Sequence, residues 1–303
     1  MALREYLVGE VAEDFADGLV GRREALRRLG LLGLGAAGAA ALLAACGGGG
    51  DADTAATTAA GSASTSSPSS SGAASTGGGE AEPVRFAGPS GELQGAYAAP
   101  AGPKAAVLVI HENRGLTAHF LDVVGRLAGE GYAALCVDLL SAEGGTASLA
   151  DPAAAPAALA AAPAERLLAD LRAGLDELGR RAPGVEMGAV GFCFGGAMAW
   201  RLVHAGEPRL AAVVPFYGPA PDDADFSRSR AAVLGIYAGL DTRVNASRER
   251  AAAALERAGL VHEIRTFEGA EHAFFNDTGP RYHADAAGRA WAALLAWFGR
   301  HLA

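Results

Sequence analysis

The sequence predicts an α/β fold in which helices cover a mostly parallel central sheet on both faces. Three observations predict it. From residue 105 to the C-terminus, short apolar runs alternate with longer segments of helical periodicity. These runs are apolar throughout, which is typical of parallel strands buried on both faces. The region that contains them follows a low-complexity stretch and has about 220 residues, the size of one domain.

The elements follow one another in the order that a parallel sheet with crossover helices requires. Residues 84–87 and 92–98 come first, and their partial alternation predicts an antiparallel edge. Buried strands are predicted at residues 105–110, 132–139, 187–192, 211–217 and 232–238, and a further strand is predicted at residues 261–267. Helices are predicted at residues 118–129, 159–178, 196–204, 248–258 and 284–302.

Residues 142–164 are rich in Ala and Pro and fit neither periodicity. Two interpretations are open, a lid over the site or a loose surface connection. The segment lacks large apolar anchors, which favours the loose connection.

Composition and charge exclude several classes of protein. The chain has 303 residues, and 25 basic against 34 acidic side chains give a net charge of −9. That sign argues against a protein that neutralises nucleic-acid phosphates, so no nucleic-acid partner is predicted. Three cysteines in such a length argue against a disulfide scaffold. The sequence shows no Cys/His cluster with metal-ligand spacing, so neither a metal nor a cofactor is predicted.

The N-terminus carries features of a targeting segment. An arginine pair, Arg22 and Arg23, precedes a weakly apolar stretch at residues 29–45 that ends in Leu-Ala-Ala before Cys46. This pattern resembles a twin-arginine export signal followed by a bacterial lipoprotein box. The resemblance implies that residues 1–46 are an export signal with cleavage before Cys46. Lipid on the Cys46 sulfur would then tether the chain to the outer face of the cytoplasmic membrane.

Two alternatives stay open for this segment. The exported protein could instead be secreted or periplasmic, without a lipid anchor. In the other interpretation, the segment is a short amphipathic helix with an incidental arginine pair and a buried cysteine. Residues 47–79, which follow, consist almost entirely of Gly, Ser, Ala, Thr and Asp and predict a disordered linker. The catalytic domain is therefore predicted to span residues 80–303.

A glycine-rich turn carries the first candidate catalytic residue. Residues 191–196 read Gly-Phe-Cys-Phe-Gly-Gly, after a predicted strand and before a predicted helix. Cys193 thus occupies the nucleophile position of a G-x-Nuc-x-G elbow, near a helix N-terminus that favours a thiolate. The alternative is a turn that only packs a helix on the sheet, with an inert buried cysteine. The spacing does not match the G-x-G-x-x-G of a dinucleotide loop.

Two further candidates lie at the ends of later strands. Asp241 follows the predicted strand at residues 232–238, and His272 lies in the loop after residues 261–267. Alone, Asp241 would more often be a turn former or a helix cap, and His272 an ordinary loop side chain. Together with Cys193, they give the order nucleophile, acid, base that is typical of an α/β-hydrolase.

With these residues, the chain from about residue 80 to the C-terminus resembles the dienelactone hydrolase family. The resemblance rests on residues 191–196, on Asp241 and on the Gly-Ala-x-His-Ala-Phe block around His272. Cysteine in place of serine at the elbow is the family-specific feature. The resemblance implies an α/β-hydrolase fold and a carboxymethylenebutenolidase-like activity on small-molecule carboxylic esters or lactones. It also implies a thioester intermediate on Cys193 and no cofactor.

The resemblance extends to a fourth strand end. Glu112 follows the strand at residues 105–110, where the family carries a glutamate that contacts the resting cysteine. By the same resemblance, the backbone N–H groups of Asn113 and Phe194 would form the oxyanion hole.

One position departs from the family. Members that act on dienelactone hold the substrate carboxylate with arginines, one of them four residues after the catalytic histidine, where this chain has Asn276. Arg114, Arg243 or Arg281 could compensate, and each could equally be a surface charge. Dienelactone is therefore not predicted as the substrate.

Two rival classes of function stay open. A low-pKa thiol outside the cytoplasm could be a redox-active site, although the chain lacks a C-x-x-C partner. A tethered module could also keep the hydrolase fold and use its cleft only to bind a ligand. The sequence fixes neither the oligomeric state nor the natural substrate.

Overall fold

The computed structural model describes residues 3–46, 79–89 and 91–302. In these ranges, eight strands form one sheet with the order β1-β2-β4-β3-β5-β6-β7-β8. β1 pairs antiparallel with β2 and β2 antiparallel with β4, and the strands from β4 to β8 in that order are parallel. The strands are β1 Glu82–Gly88, β2 Gly91–Ala98, β3 Ala105–Ile110, β4 Tyr132–Val137, β5 Met187–Phe192, β6 Leu210–Phe216, β7 Ala232–Ala238 and β8 His262–Phe267. The predicted α/β architecture with a mostly parallel sheet is confirmed.

Ten α-helices occur in the described ranges. Every residue of β3, β4 and β7 is buried, although successive side chains point to opposite faces, so both faces of the sheet are covered there. Helices α4, α6, α7 and α10 pack on the central strands. The helices are α1 Leu3–Ala16, α2 Arg22–Leu31, α3 Ala36–Cys46, α4 Ala118–Gly129, α5 Ala155–Ala161, α6 Ala164–Arg181, α7 Phe194–His204, α8 Thr242–Asn245, α9 Arg248–Arg257 and α10 Ala284–His301.

The single helix predicted at residues 159–178 is wrong. The structure has two helices there, α5 and α6, and the chain is extended at Ala162 and Pro163 between them. Proline lacks the N–H that an uninterrupted helix needs, and its ring disfavours helical geometry in the preceding residue. Pro163 therefore ends one helix and caps the start of the next.

The Ala/Pro-rich segment at residues 142–164 is a packed connection rather than the loose one that we favoured. It contains short 3-10 turns and α5, whose Ala155 and Leu159 are fully buried. Helix α5 contacts α1, and Asp151 forms an ion pair with Arg27 of α2. The segment supports the N-terminal helices.

Helices α1, α2 and α3 pack against one another, and α1 also packs on the catalytic region. The apolar stretch expected at residues 29–45 is interrupted between α2 and α3, where Gly33 has a φ of 80°. Among the described residues, no helix is both long and apolar enough to cross a membrane. The export signal stays a prediction, and most of the predicted linker, residues 47–78, lies outside the described residues.

The bend between β5 and α7 depends on glycines that let backbones approach closely. A Cβ on Gly191 would collide with the Gly195 carbonyl, and a Cβ on Gly195 would collide with the carbonyls of Ile110 and His111. Neither backbone can retreat, because β3 and β5 are paired neighbours in the sheet. The glycines at these positions therefore let α7 start directly above β3 and β5.

We expect Gly195→Ala to destabilise the fold by roughly 1–3 kcal/mol, because the added methyl meets backbone that cannot move. The matched control is Gly288→Ala in α10, where a Cβ meets open space and the exchange should stabilise by roughly 0.5–1 kcal/mol. Urea unfolding midpoints measure both. Wild-type stability for Gly195→Ala would contradict the close-approach argument.

Candidate active site

Four side chains that the sequence singles out as candidates come together where parallel strands end. Cys193 follows β5, Asp241 follows β7, His272 follows β8 and Glu112 follows β3. Parallel strands bring their carboxyl ends to one edge of a sheet, which is where ligand sites of open α/β sheets lie. All four side chains are buried.

Cys193 lies on a strained bend at the start of α7. Its φ of 56° and ψ of −116° are unusual for a residue with a side chain. Its backbone N–H donates to the Phe216 carbonyl at 3.1 Å, which fixes the turn to β6. This is the geometry of a nucleophile elbow, in which the bend presents one side chain at the top of the sheet.

His272 is oriented by Asp241. The distance between His272 Nδ1 and Asp241 Oδ2 is 2.5 Å. Asp241 Oδ1 accepts a hydrogen bond from the Val244 N–H at 2.9 Å and caps α8. The helix-cap interpretation is therefore confirmed, and the same carboxylate also contacts His272. The bond to Asp241 aims the other ring nitrogen, Nε2, toward Cys193.

The charges of this pair stabilise each other. Burial opposes ionisation of His272, but the nearby carboxylates Glu10 and Asp241 outweigh it and hold the pKa of His272 well above its ordinary value. Burial is the largest single influence on Asp241 and raises its pKa, but the attraction and hydrogen bond of His272, the charge of Arg243 and the Val244 N–H together outweigh burial and leave the pKa below its ordinary value. An ionised pair is the resting state that these shifts favour.

The carboxylate beside the sulfur comes from the N-terminal helix α1. Glu10 Oε2 lies 3.7 Å from Cys193 Sγ and 3.3 Å from His272 Nε2. The Tyr6 hydroxyl donates to Cys193 Sγ at 3.2 Å. Sequence reasoning missed both residues, because they precede Cys193 by more than 180 positions. The only local signal was their spacing of four residues on one helix face.

Glu112 reaches the site but makes different contacts from those that the family resemblance implies. Its Oε1 accepts a hydrogen bond from the Tyr217 hydroxyl at 3.2 Å, and its Oε2 accepts one from Asn276 Nδ2 at 2.8 Å. Burial raises the pKa of Glu112. Asn276, which replaces the expected arginine, thus donates a hydrogen bond to Glu112. The carboxylate that contacts Cys193 is Glu10.

The sulfur is held as a thiol in this arrangement. Burial, followed by the negative charge of Glu10, raises the pKa of Cys193 to about 11, and the opposing influence of His272 is smaller. We expected the helix N-terminus to favour a thiolate. That expectation is not met here, because burial and a facing carboxylate outweigh the helix dipole.

Two of the three candidate arginines are bound to α1. Arg243 forms ion pairs with Glu10 and, at 3.0 Å, with Glu13. Arg281 pairs with Asp14 at 2.9 Å and with Asp17 at 2.6 Å. These contacts match an acidic helix face to basic groups at the edge of the site.

A cavity of about 260 Å³ lies next to the sulfur. The third candidate arginine, Arg114, lines it together with Asn113, one of the predicted oxyanion donors. The other predicted donor, Phe194, is the first residue of α7, so its N–H has no partner within the helix. The walls of the cavity also include residues of α1 and of the loop after β8, among them Glu10, Asp14, His272, Asn276 and Arg281.

Three side chains could hold a metal ion. Glu10, Cys193 and His272 each offer a ligand atom, and these atoms lie within 4.8 Å of one another. A carboxylate, a thiolate and an imidazole are ligands that Zn²⁺ accepts. Glu10 supplies the third ligand atom, which explains why the sequence spacing gave no metal signal. The second cysteine whose side chain the structure describes, Cys136, is buried in β4.

Comparisons with known proteins agree with the fold. A family model described as "Dienelactone hydrolase family" matches residues 93–302. An Escherichia coli O157:H7 protein named "Putative carboxymethylenebutenolidase" is 35% identical over 210 residues, which cover 65% of this chain and 77% of that protein. The crystal structure of a "Putative Dienelactone Hydrolase" from Klebsiella pneumoniae is 28% identical with a TM-score of 0.65. The similarity covers 73% of this chain and 98% of the Klebsiella chain.

We expect Asp241→Asn to lower the pKa of His272, because it removes one of the two carboxylates that favour the imidazolium. NMR titration of the imidazole measures the change. Asp122→Asn is the control, since this exposed carboxylate on α4 pairs with Arg126. A His272 pKa that is equal in wild type and Asp241→Asn would contradict the assigned pair.

Proposed function

Because this chain belongs to the dienelactone hydrolase family, we propose that it hydrolyses carboxylic esters or lactones through Cys193, His272 and Asp241. The observation that carries the proposal is the hydrogen bond between His272 and Asp241 beside the elbow cysteine. The relatives named for carboxymethylenebutenolidase activity support the class of reaction. Asn276 in place of the family's arginine leaves dienelactone itself outside the proposal.

The first half of the reaction transfers the acyl group to sulfur. Because the resting imidazole is protonated, His272 must first release its Nε2 proton to solvent. The free Nε2 then takes the proton of the Cys193 thiol as the sulfur attacks the carbonyl carbon. The tetrahedral intermediate then expels the alkoxide, which takes the proton back from His272 and leaves as an alcohol. A thioester on Cys193 remains. With a lactone, the alcohol stays part of the same acyl chain.

The second half hydrolyses the thioester. His272 removes a proton from water, which attacks the thioester carbon, and the thiolate leaves and is reprotonated. The product is a carboxylic acid, and the enzyme returns to its starting state. A high thiol pKa is compatible with this route, because the proton transfers as the sulfur attacks rather than beforehand.

The oxyanion of both intermediates needs hydrogen-bond donors. We assign this role to the backbone N–H groups of Asn113 and Phe194. Asn113 lines the cavity beside Cys193, and Phe194 begins α7. Loss of one such donor costs about 2.7–4 kcal/mol in a comparable site, so these two groups are expected to be the largest electrostatic contribution.

Two features oppose the rival functions. A redox function would need a reactive thiolate, and the pKa of Cys193 is raised to about 11. A binding module would have no use for a buried imidazole that a carboxylate orients. The paired His272 and Asp241 therefore favour catalysis.

We further propose that the chain is exported and anchored by lipid on Cys46. The support is the order of the sequence features, from the arginine pair through the Leu-Ala-Ala-Cys box to the polar linker. Helix α3 ends at Cys46, so the proposed cleavage falls at a helix end.

We expect Cys193→Ala to lower kcat/KM for activated esters and lactones by roughly 10³-fold or more, because the nucleophile is lost. The assay uses residues 80–303, which contain all eight strands and the whole region that the family model matches. Cys136→Ala is the control and should keep wild-type kinetics, since Cys136 is buried in β4 away from the site. Equal turnover by wild type and Cys193→Ala would overturn the mechanism.

We expect Cys46→Ala to release the protein from the membrane fraction, because the lipid would lack its attachment atom. Metabolic labelling with a radioactive fatty acid, followed by fractionation, measures this. The wild type should carry label and sediment with membranes. Equal soluble release of both proteins would contradict the anchor.

A further inference from the structure

We propose that helix α1 is an intramolecular inhibitor of the active site, in which Tyr6 and Glu10 occupy the space that a substrate carbonyl must enter. The occupant is this chain's own segment 3–16. The inhibition itself is independent of the reaction catalysed. Its relief by cleavage before Cys46 rests on the export proposed above.

Tyr6 and Glu10 occupy the immediate surroundings of the sulfur. Tyr6 is 1% exposed, and Cys193 and His272 are each 3% exposed. An acyl carbon must approach the sulfur to about 3–3.5 Å in a reactive geometry. The Tyr6 hydroxyl and the Glu10 carboxylate lie 3.2 and 3.7 Å from Sγ. These two groups therefore stand at the distance from the thiol that an attacking acyl carbon would have to reach.

A second effect is electrostatic. Glu10 places a negative charge beside both reacting groups, 3.3 Å from His272 Nε2 and 3.7 Å from Cys193 Sγ. His272 needs that nitrogen to accept the thiol proton. The same charge would repel the negative oxygen of a tetrahedral intermediate formed at Cys193. A group that stabilised the intermediate would instead place a positive charge or a hydrogen-bond donor near its negative oxygen.

A third observation is the way in which α1 is held. Its acidic side pairs with Arg243 and Arg281, whose side chains are largely buried at 19% and 10% exposure. Its apolar side is buried through Leu3, Tyr6, Leu7 and Val11. Arg243 lies two residues after Asp241, and Arg281 follows the His272 loop. Helix α1 is therefore bound to one residue that follows Asp241 and to one that follows His272 in the sequence.

Ion pairs and apolar contacts hold α1 without a covalent bond to the site, so its docking is reversible. A flexible linker, as the sequence predicts for residues 47–79, would keep α1 at an effective concentration on the order of millimolar near the site. Cutting that linker makes docking bimolecular, so dilution then releases the segment. Cleavage before Cys46 would have the same consequence in an exported protein.

A competing account makes α1 a lasting wall of the substrate pocket. Glu10 and Asp14 line the cavity beside Cys193, which this account takes as a finished binding site. The two interpretations predict opposite changes in activity when α1 is removed. Removing a wall lowers activity, whereas removing an inhibitor exposes the thiol and raises activity.

The test measures access to Cys193 without requiring turnover. A specific protease site is inserted after Ser64 of the full chain, and iodoacetamide labelling of the Cys193 peptide is followed by mass spectrometry before and after cutting. If α1 is docked in at least nine of ten chains, cutting and dilution should raise the labelling rate about tenfold or more. An unchanged or slower rate would overturn the proposal.

Point variants give the same test without cutting. Tyr6→Ala with Glu10→Ala in the full chain should raise labelling of Cys193 in the same way, because the groups facing the sulfur are gone. Arg23→Ala, an exposed change on α2, is the matched control and should label like wild type. Equal protection of the double variant and the wild type would contradict the role of these side chains.

A peptide supplies the reverse experiment. A synthetic peptide of residues 1–20, added in excess to the full-length protein after cutting and dilution, should slow labelling of Cys193 again, with saturation. The peptide with Tyr6→Ala and Glu10→Ala should not. Absence of any protection by the wild-type peptide would count against docking by α1.

Ester hydrolysis is measured in parallel to separate the two proposals. Faster labelling without hydrolysis would sustain the inhibitor and overturn the proposed reaction. Hydrolysis that is equal before and after cutting, with unchanged labelling, would overturn the inhibitor and sustain the reaction.

Discussion

The close approach of backbones at the bend between β5 and α7 is the constraint on which the site depends. Gly191 and Gly195 allow α7 to begin within contact distance of the β3 carboxyl end. The bend forces Cys193 into a strained conformation at the sheet edge, where β3, β7 and β8 also end. The strain is repaid elsewhere, by a sheet whose central strands are buried along their whole length. The residues that come after β3, β7 and β8 are therefore brought to the same edge of the sheet as the sulfur.

Around that sulfur, charges are paired across distant parts of the chain. Two carboxylates, Glu10 and Asp241, flank one imidazole, and Arg243 compensates Glu10 from the other side. Burying so many ionisable groups is tolerable only because each has an opposite charge or a hydrogen bond within reach. If α1 leaves, Glu10 is removed from this network while His272 keeps Asp241. The catalytic pair therefore does not depend on the segment that covers it.

Much of the catalytic region could be predicted from sequence, because its signals are local. Uniformly apolar runs predicted the buried strands, and residue type and order predicted Cys193, Asp241 and His272 as the candidate site, which the structure brings together at one edge of the sheet. The helix predicted through Pro163 failed because apolar periodicity was weighed above the chemistry of one residue. Tyr6 and Glu10 were missed for a different reason. Their role arises from docking of a remote helix, and a targeting pattern in the same segment offered another interpretation.

The account depends most directly on acyl transfer to Cys193. Residues 80–303 should be mixed with an activated ester, quenched in acid within the first turnovers and analysed by intact and peptide mass spectrometry. The account predicts the mass of one acyl group on the peptide that contains Cys193, and its loss on incubation in neutral buffer. Turnover with the acyl group on another residue, or with no acylated enzyme at any quench time, would contradict it.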